Sequence, residues 1–197
     1  MPDTTIRYYD ENAEEYDAAT VHLDMSELYE PFLAHIPEGG KILDLGCGPG
    51  RDVLEFAARG FDVTGIDASA PMVTIAKSRT THQVLQMKFT DVHWQSVFDG
   101  VWACASLLHV PLRELPSVFA KVRDALKSGG VAYVSFKYGD SERSSRGRTF
   151  TDLSEDDLAS CLQAVEDLEM IDAWITTDVR PMRRAERWLN AVLVKAR

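Results

Sequence analysis

The chain has 197 residues, of which 45% are hydrophobic and 26% charged, a size and composition typical of one folded domain with its own core. Its net charge of −10 argues against a general affinity for nucleic acid, because phosphate binding relies on lysine and arginine. No apolar run approaches the ~20 residues that a membrane span needs, so we expect no membrane partner.

The opening residues lack the basic-then-apolar layout of a signal peptide. Cys47, Cys104 and Cys161 are widely spaced and odd in number, a pattern that favours neither a disulfide framework nor a metal site. We therefore expect a reducing, cytoplasmic location and no bound metal. The oligomeric state is not readable from these features.

Apolar residues recur at helical spacing twice within residues 4–37, before Pro37 and the two glycines that follow it. This spacing predicts two helices, which together form an N-terminal helical cap over residues 1–38. The cap is strongly acidic, since residues 1–36 hold nine acidic side chains and Arg7 as their one formal cation.

Residues 39–136 alternate between short apolar runs and amphipathic segments. Strands are predicted over Lys41–Leu45, Phe61–Asp67, Gln83–Phe89, Phe98–Ala105 and Val131–Phe136. Helices are predicted over Asp52–Arg59, Pro71–Arg79 and Arg113–Leu126. Strands that alternate with helices of this length indicate βαβ units, and hence an α/β fold with a doubly wound, mostly parallel sheet.

Residues 137–197 complete the single predicted domain, which spans residues 1–197. Tyr138–Thr149 is predicted as a polar loop, and a helix begins near Ser154, a favourable N-cap residue. Glu169–Val179 and Arg187–Lys195 are the last two strand candidates. No helix separates them, so we expect a hairpin and therefore one antiparallel strand.

The most informative segment is the loop after the first strand, in which Asp44 precedes Gly46, Gly48 and Gly50. Glycines directly after a strand allow the backbone to fold closely around a small molecule. The spacing differs from the dinucleotide fingerprint, because the third glycine comes one residue early and Arg51 follows it. Asp67, Asp91 and His109 also follow strand candidates, which places them at the same edge of a parallel sheet.

The form Asp-x-Gly-x-Gly-x-Gly resembles motif I of the class I S-adenosylmethionine (SAM)-dependent methyltransferases. Asp67, 17 residues after Gly50, is similar to the acid that follows the second strand in that family. The resemblance covers about half of the chain. It implies a Rossmann-like, seven-stranded sheet with the last strand antiparallel, SAM as the cofactor, and transfer of its methyl group to an acceptor.

The resemblance also implies roles for individual residues. Asp44, Gly46, Cys47, Gly48 and Gly50 would contact the methionine part of SAM, Asp67 the ribose, Ala68 and Met72 the adenine ring, Asp91 with Val92 the adenine amino group, and Ala105 with Ser106 the methionine ammonium. A carboxylate suits the ribose because it accepts two hydrogen bonds at once.

The acceptor is less clearly indicated. No Asn-Pro-Pro-Tyr-like segment, Pro-Cys nucleophile or magnesium-binding set accompanies the motif, so we expect a small-molecule acceptor. His109 and Tyr16 are the candidate general bases, although a histidine here is more often structural. The tyrosine-rich first helix is either a lid over SAM, as in many members of the family, or an ordinary surface helix.

Charge leaves two acceptor hypotheses open. Arginines cluster over residues 143–148 and 180–187, and Arg148 and Arg180 are the candidates for binding a carboxylate or phosphate. The acidic cap would instead favour a cationic acceptor. We favour the anion, because the 138–149 segment leaves the fifth strand on the ligand side. Two other classes are a non-catalytic SAM-binding or interaction protein and an NAD-dependent oxidoreductase, which the glycine spacing disfavours.

Overall fold

A computed structural model describes residues 2–197, within which the chain forms nine strands and seven α helices. The strands are β1 Lys41–Leu45, β2 Asp62–Asp67, β3 Gln83–Gln86, β4 Phe98–Ala103, β5 Leu126–Lys137, β6 Glu142–Ser145, β7 Arg148–Thr151, β8 Leu168–Thr177 and β9 Arg187–Lys195. The helices are α1 Asp3–Glu11, α2 Ala13–Thr20, α3 Ser26–Leu33, α4 Arg51–Ala58, α5 Ala70–Arg79, α6 Leu115–Ala125 and α7 Glu155–Leu162.

Seven strands form one sheet in the order β3-β2-β1-β4-β5-β9-β8. The first five strands pair in parallel, and β9 is antiparallel to both β5 and β8. The predicted Rossmann-like sheet, mostly parallel with an antiparallel last strand, is therefore confirmed. The strand order reverses between β1 and β4, and ligands of doubly wound sheets bind at the carboxyl ends of the strands on either side of such a point.

The core lies on both faces of this sheet. One face packs against α6 and α7 through side chains such as Phe119 and Leu158. The other face packs against α3, α4 and α5, and its centre is the fully buried Trp102, whose ring stacks on Tyr133 at a centroid distance of 4.0 Å. Because both faces are covered, the strands read as continuous apolar runs, as in β1, where every residue after Lys41 is buried.

The N-terminal region contains three helices, so the prediction of two was wrong. The chain leaves helical geometry at Asn12, which has φ −123° and ψ 20°, and its side-chain amide donates to the Tyr8 carbonyl at 2.7 Å. A side chain that bonds the backbone of the preceding turn competes with continuation of the helix. A further break over residues 21–25 separates α2 from α3.

The prediction of a polar loop over Tyr138–Thr149 is wrong in part, because this region contains strand β6 and the start of β7, which pair as a hairpin. The turn is made by Arg146 and Gly147, which have φ +49° and +80°. Two successive residues with positive φ match the twist of a two-residue hairpin. The polar composition hid the strands, because β6 is mostly exposed on both sides.

Other boundaries moved by a few residues. Strand β5 begins at Leu126 rather than Val131, while β3 and β4 end earlier than predicted, at Gln86 and Ala103. Ser154 is the N-cap of α7 as expected, and it forms a capping box with Asp157. Within residues 2–197, no helix has both the length and the apolar character that crossing a bilayer requires.

Candidate active site

The glycine loop leaves β1 at the edge of the sheet where β2 and β4 also end. The amides of Gly46 and Cys47 both donate to the Ile66 carbonyl of β2, at 2.8 and 2.9 Å. The Ser106 hydroxyl, just after β4, donates to the Leu45 carbonyl at 2.6 Å. The loop is thus fixed to both neighbouring strands, and the predicted convergence of strand ends is present.

Gly46 is the position where this loop has least room. Its φ is +88°, and a Cβ atom placed on it would lie 2.5 Å from the Ser106 Cβ. Any side chain would therefore combine an unfavourable backbone conformation with a clash against the chain after β4. Gly50 also has a positive φ, +89°, and serves as the N-cap of α4.

Asp67 ends β2 and accepts hydrogen bonds from two backbone amides. Its Oδ2 accepts from Gly48 at 2.9 Å, and its Oδ1 accepts from Ser69 at 2.8 Å. Burial raises the pKa of Asp67 to about 6, against the lowering effect of these hydrogen bonds. The carboxylate therefore orients the loop and is near its point of protonation in mildly acidic solution.

Asp44 is 2% exposed, and its Oδ2 has no hydrogen-bond partner among the described residues. Burial raises the pKa of this carboxyl well above its usual range, and the neighbouring Asp52 carboxylate raises it further. An unsatisfied buried oxygen is costly, so one is expected to have a partner when the protein is at work. The oxygen and the Gly46 cradle together fit a small molecule that donates a hydrogen bond at this loop.

A buried hydrogen-bonded cluster lies under the loop, centred on Asp52 of α4. Its Oδ1 accepts from the Tyr29 hydroxyl and from Arg51 Nε, both at 2.6 Å. Its Oδ2 accepts from the Trp102 indole and from Arg51 Nη2, both at 2.8 Å. These four donors keep the pKa of Asp52 below its usual value in spite of burial.

The other predicted cofactor residues differ in exposure. Five are buried: Cys47, Ala68, Met72, Val92 and Ser106. Asp91 is exposed and accepts a hydrogen bond from the Thr90 hydroxyl at 3.1 Å. The structure therefore places Asp91 in a solvent-facing turn, unlike the buried Asp44.

A cavity of about 430 Å³ opens beside the loop, at the carboxyl ends of β4, β5 and β8 and the amino end of β9. Its walls come from the first two helices, the β6–β7 hairpin and the β8–β9 connection. Five predicted site residues line it: Tyr16, Ala105, His109, Arg148 and Arg180. Ala105 has φ +51°, uncommon for a residue other than glycine, and it is the one member of the predicted cofactor set on this wall.

His109 is held by both of its ring nitrogens. Its Nδ1 lies 2.7 Å from the Thr149 carbonyl, which can only accept, so Nδ1 donates. Its Nε2 lies 2.8 Å from the Tyr9 hydroxyl and is left to accept from it. Burial lowers the pKa of His109 to about 4, and the nearby Arg148 lowers it further, so the imidazole is neutral at pH 7.

The two candidate bases are therefore not partners of each other. Tyr16 lines the same cavity, but its ring packs edge-on against Tyr9 at a centroid distance of 5.3 Å. Tyr9 is the residue that sequence reasoning missed. It belonged to the tyrosine-rich helix, but the break at Asn12 decides which tyrosine faces His109, and that break had no clear signal in the pattern.

Arginines of both clusters line the cavity, as the anionic-acceptor hypothesis requires: Arg143, Arg146 and Arg148 of the first cluster, and Arg180 and Arg183 of the second. Arg180 is paired with Asp178, whose Oδ1 accepts from its Nε at 2.8 Å, and Arg143 is paired with Asp152 at the same distance. Arg148 lies over the Tyr8 ring at 4.2 Å, and its buried Nε has no partner among the described residues. Arg148 therefore has unused binding capacity.

The first two helices close one side of the site. The Asp17 carboxylate of α2 accepts hydrogen bonds from Nη1 and Nη2 of Arg79 on α5, each at 2.6 Å. On the other side, the Thr149 amide donates to the Thr5 hydroxyl at 3.1 Å. Helices α1 and α2 are thus attached to the glycine-loop side of the site through α5 and to the cavity side through β7.

A family model described as a methyltransferase domain matches residues 42–130. YqeM of Bacillus subtilis, provisionally named a methyltransferase, is 32% identical over 152 residues, which are 72% of this chain. The chain spans 60% of the length of that relative.

Two solved structures show the same fold. The 1,6-didemethyltoxoflavin-N1-methyltransferase of Burkholderia thailandensis, solved with its substrate and S-adenosylhomocysteine, superposes with a TM-score of 0.78 at 20% identity, over 98% of this chain and 85% of that one. The [4+2]-cyclase SpnF superposes with a TM-score of 0.76 at 16% identity, over 96% and 94%. The fold therefore also occurs in a protein named for a different reaction.

Proposed function

Because the chain belongs to the class I SAM-dependent methyltransferases, whose cofactor is SAM, we propose that it transfers the methyl group of SAM to an anionic small molecule. The observation that carries the proposal is the junction of two sites at one sheet edge. The glycine loop with Asp44 and Asp67 lies at the ends of β1 and β2, and a cation-lined cavity that includes Ala105 opens at the end of β4. Donor and acceptor would meet at the end of β4.

The donor side of the proposal rests on complementary chemistry. Asp67 would hold the ribose hydroxyls, and Asp44 the positively charged methionine end, while Gly46, Cys47, Gly48 and Gly50 let the backbone approach. Ala68, Met72, Asp91 and Val92 would surround the adenine ring, and Ala105 with Ser106 would complete the methionine site. The unpartnered Oδ2 of Asp44 and the close approach of Gly46 to Ser106 support this arrangement.

SAM, when bound, supplies a methyl group already made electrophilic by the sulfonium. The chain's own task is then to orient the acceptor and to exclude water. The tyrosines of α1 and α2 line the cavity from above and serve as the lid. A proton leaving the acceptor would pass to the Tyr9 oxygen as the Tyr9 proton moves to His109 Nε2, along the hydrogen bond between them.

The acceptor side favours an anion over a cation. Seven cationic residues line the cavity: Arg51, Lys137, Arg143, Arg146, Arg148, Arg180 and Arg183. The acidic lining residues are Asp178 and Glu186, both of which are paired with cations. The carboxylates of the acidic cap lie outside this wall, on exposed positions such as Glu11 and Glu14. An anion on Arg148 would also cancel a charge that holds down the pKa of His109.

The direct test is incubation with isotopically labelled SAM and a metabolite extract, followed by mass spectrometry of the products. A labelled acidic metabolite supports the proposal. Binding of SAM without transfer to any metabolite would support a non-catalytic role or a different reaction on the same fold. Calorimetric titration with NAD and with SAM distinguishes a methyltransferase, which binds SAM, from the alternative NAD-dependent oxidoreductase, which binds NAD.

Replacing Arg148 by methionine should raise the acceptor KM by roughly ten- to a hundredfold, because a charge-assisted hydrogen bond is lost. SAM affinity should change little. The same change at Arg180 should have a smaller effect, since Asp178 already pairs with it. Arg113→Met, on an arginine whose side chain is 85% exposed, is the control. An equal loss of SAM affinity in Arg148→Met would contradict the assignment.

SAM binding should depend on the protonation of Asp67. The Asp67 side chain accepts freely at both oxygens only when it is ionised, because protonation turns one oxygen into a donor, and its pKa in the free protein is raised to about 6. Affinity should therefore be full above pH 7 and fall by up to about tenfold per unit below pH 6. Calorimetry between pH 5 and 8 measures this dependence. Asp67→Asn should bind weakly and with a flatter profile, whereas an unchanged profile would refute the role.

A further inference from the structure

Arg51 is the unusual residue of the glycine loop, and the proposal above counts it only among the cations that line the cavity. It occupies the position after the third glycine, where the dinucleotide fingerprint has a small residue. In the structure it is the first residue of α4, directly after Gly50. Its side chain is 20% exposed and lines the cavity together with Tyr16, Cys104 and Ala105. Arg51 therefore lies where the glycine loop and the cavity meet.

The guanidinium of Arg51 is held in one orientation. Its Nε and Nη2 donate to the two oxygens of Asp52, at 2.6 and 2.8 Å. Asp52 is in turn fixed by Tyr29 and Trp102, both buried, at 2.6 and 2.8 Å. Within residues 2–197, Nη1 donates to no protein group. A planar guanidinium fixed along one edge presents its remaining donors in a defined direction.

A guanidinium and a buried carboxyl group flank the loop on this side. Arg51 carries a permanent positive charge, and Asp44 has an oxygen without a partner. An amino-acid group carries one carboxylate and one ammonium, which matches a guanidinium that donates and an Asp44 oxygen that is free to accept. The methionine part of SAM is such a group.

We propose that Arg51 binds the carboxylate of the methionine part of SAM, and that Asp52 is a positioning residue that holds Arg51 in the orientation required. This inference rests on the proposed function and deepens its donor site. On this proposal, the Arg51 side chain discriminates between SAM and a ligand that lacks the carboxylate. The arginines that line the cavity between residues 143 and 183 then bind the acceptor.

The test compares SAM with decarboxylated SAM, which lacks only the carboxylate, by titration calorimetry. The native protein should bind decarboxylated SAM roughly ten- to a hundredfold more weakly, as expected for one charge-assisted contact. In Arg51→Met, SAM should bind as weakly as decarboxylated SAM does, and the affinity for decarboxylated SAM should change less than about threefold. Arg59→Met is the matched control, since Arg59 follows the same helix and pairs with the exposed Glu30 and Glu55.

Loss of Arg51 removes an ionic partner from the buried Asp52, which lowers stability. The double variant Arg51→Met/Asp52→Asn removes both charges and keeps hydrogen-bond acceptance for Trp102, so it replaces the single variant if that one unfolds. Equal binding of the two ligands by the native protein overturns the inference without any variant. Discrimination that survives in the Arg51 variants, with only the acceptor KM raised, overturns it as well. If SAM does not bind the native protein at all, the proposed function itself fails.

Discussion

Gly46→Ala is expected to weaken SAM binding by more than about a hundredfold, the largest loss at the donor site. The added Cβ would lie 2.5 Å from the Ser106 Cβ, and neither backbone can move away easily. Gly46 is fixed by its amide to Ile66, and Ser106 by its hydroxyl to Leu45. The substitution therefore displaces the loop, and with it the Gly48 amide that orients Asp67. Calorimetric titration with SAM measures the effect.

Gly60→Ala is the matched control for this change. Gly60 also has a positive φ, +91°, but a Cβ placed on it meets nothing within 4 Å. Both variants should lose roughly 1 kcal/mol of folding free energy or more, because alanine is strained at positive φ. Only Gly46→Ala should lose SAM affinity. Equal affinity losses in the two variants would show that strain, and not close approach, accounts for the effect.

Tyr9→Phe should reduce kcat by about a hundredfold or more for an acceptor that loses a proton on methylation. The substitution keeps the ring and its packing against Tyr16, and removes only the hydroxyl that donates to His109. Acceptor KM and SAM affinity should change less than about threefold. His109→Gln should reduce kcat to a similar degree, and the two losses should not add, since both residues belong to one hydrogen-bonded chain.

Tyr8→Phe is the control for the tyrosine change, because Tyr8 packs under Arg148 through its ring face. It should leave kcat nearly unchanged. At saturating SAM, kcat/KM of the native enzyme for the acceptor should not fall between pH 8 and pH 6 through His109, since its pKa before the acceptor binds is lowered to about 4 and the neutral base is fully present there. A Tyr9→Phe defect confined to KM would assign this residue to binding instead of proton transfer.

The parts of this molecule that sequence predicted well are those encoded locally. The glycine spacing, Asp67 after β2 and the alternation of strands with helices all depend on residues close together in the chain. Parallel strands then bring their carboxyl ends together without further information. The sheet and the donor loop could therefore be predicted before any contact was known.

The remaining parts depend on pairs distant in sequence. Tyr9 meets His109 across 100 positions, and Trp102 meets Asp52 across 50. No periodicity predicts such a hydrogen bond, because it depends on how separate elements pack. The choice between Tyr9 and Tyr16 depended on the helix break at Asn12, where a side-chain amide caps the turn before it.

The division of the cavity walls has a consequence for how this protein acquires new specificity. The glycine loop lies at the ends of β1, β2 and β4 in the centre of the sheet, whereas much of the wall of the proposed acceptor cavity comes from the β6–β7 hairpin and the β8–β9 connection. These two segments can be exchanged between related proteins without altering a residue of the donor loop. The acceptor specificity can therefore change through these two segments, in evolution or by design, while the residues proposed to bind SAM stay the same.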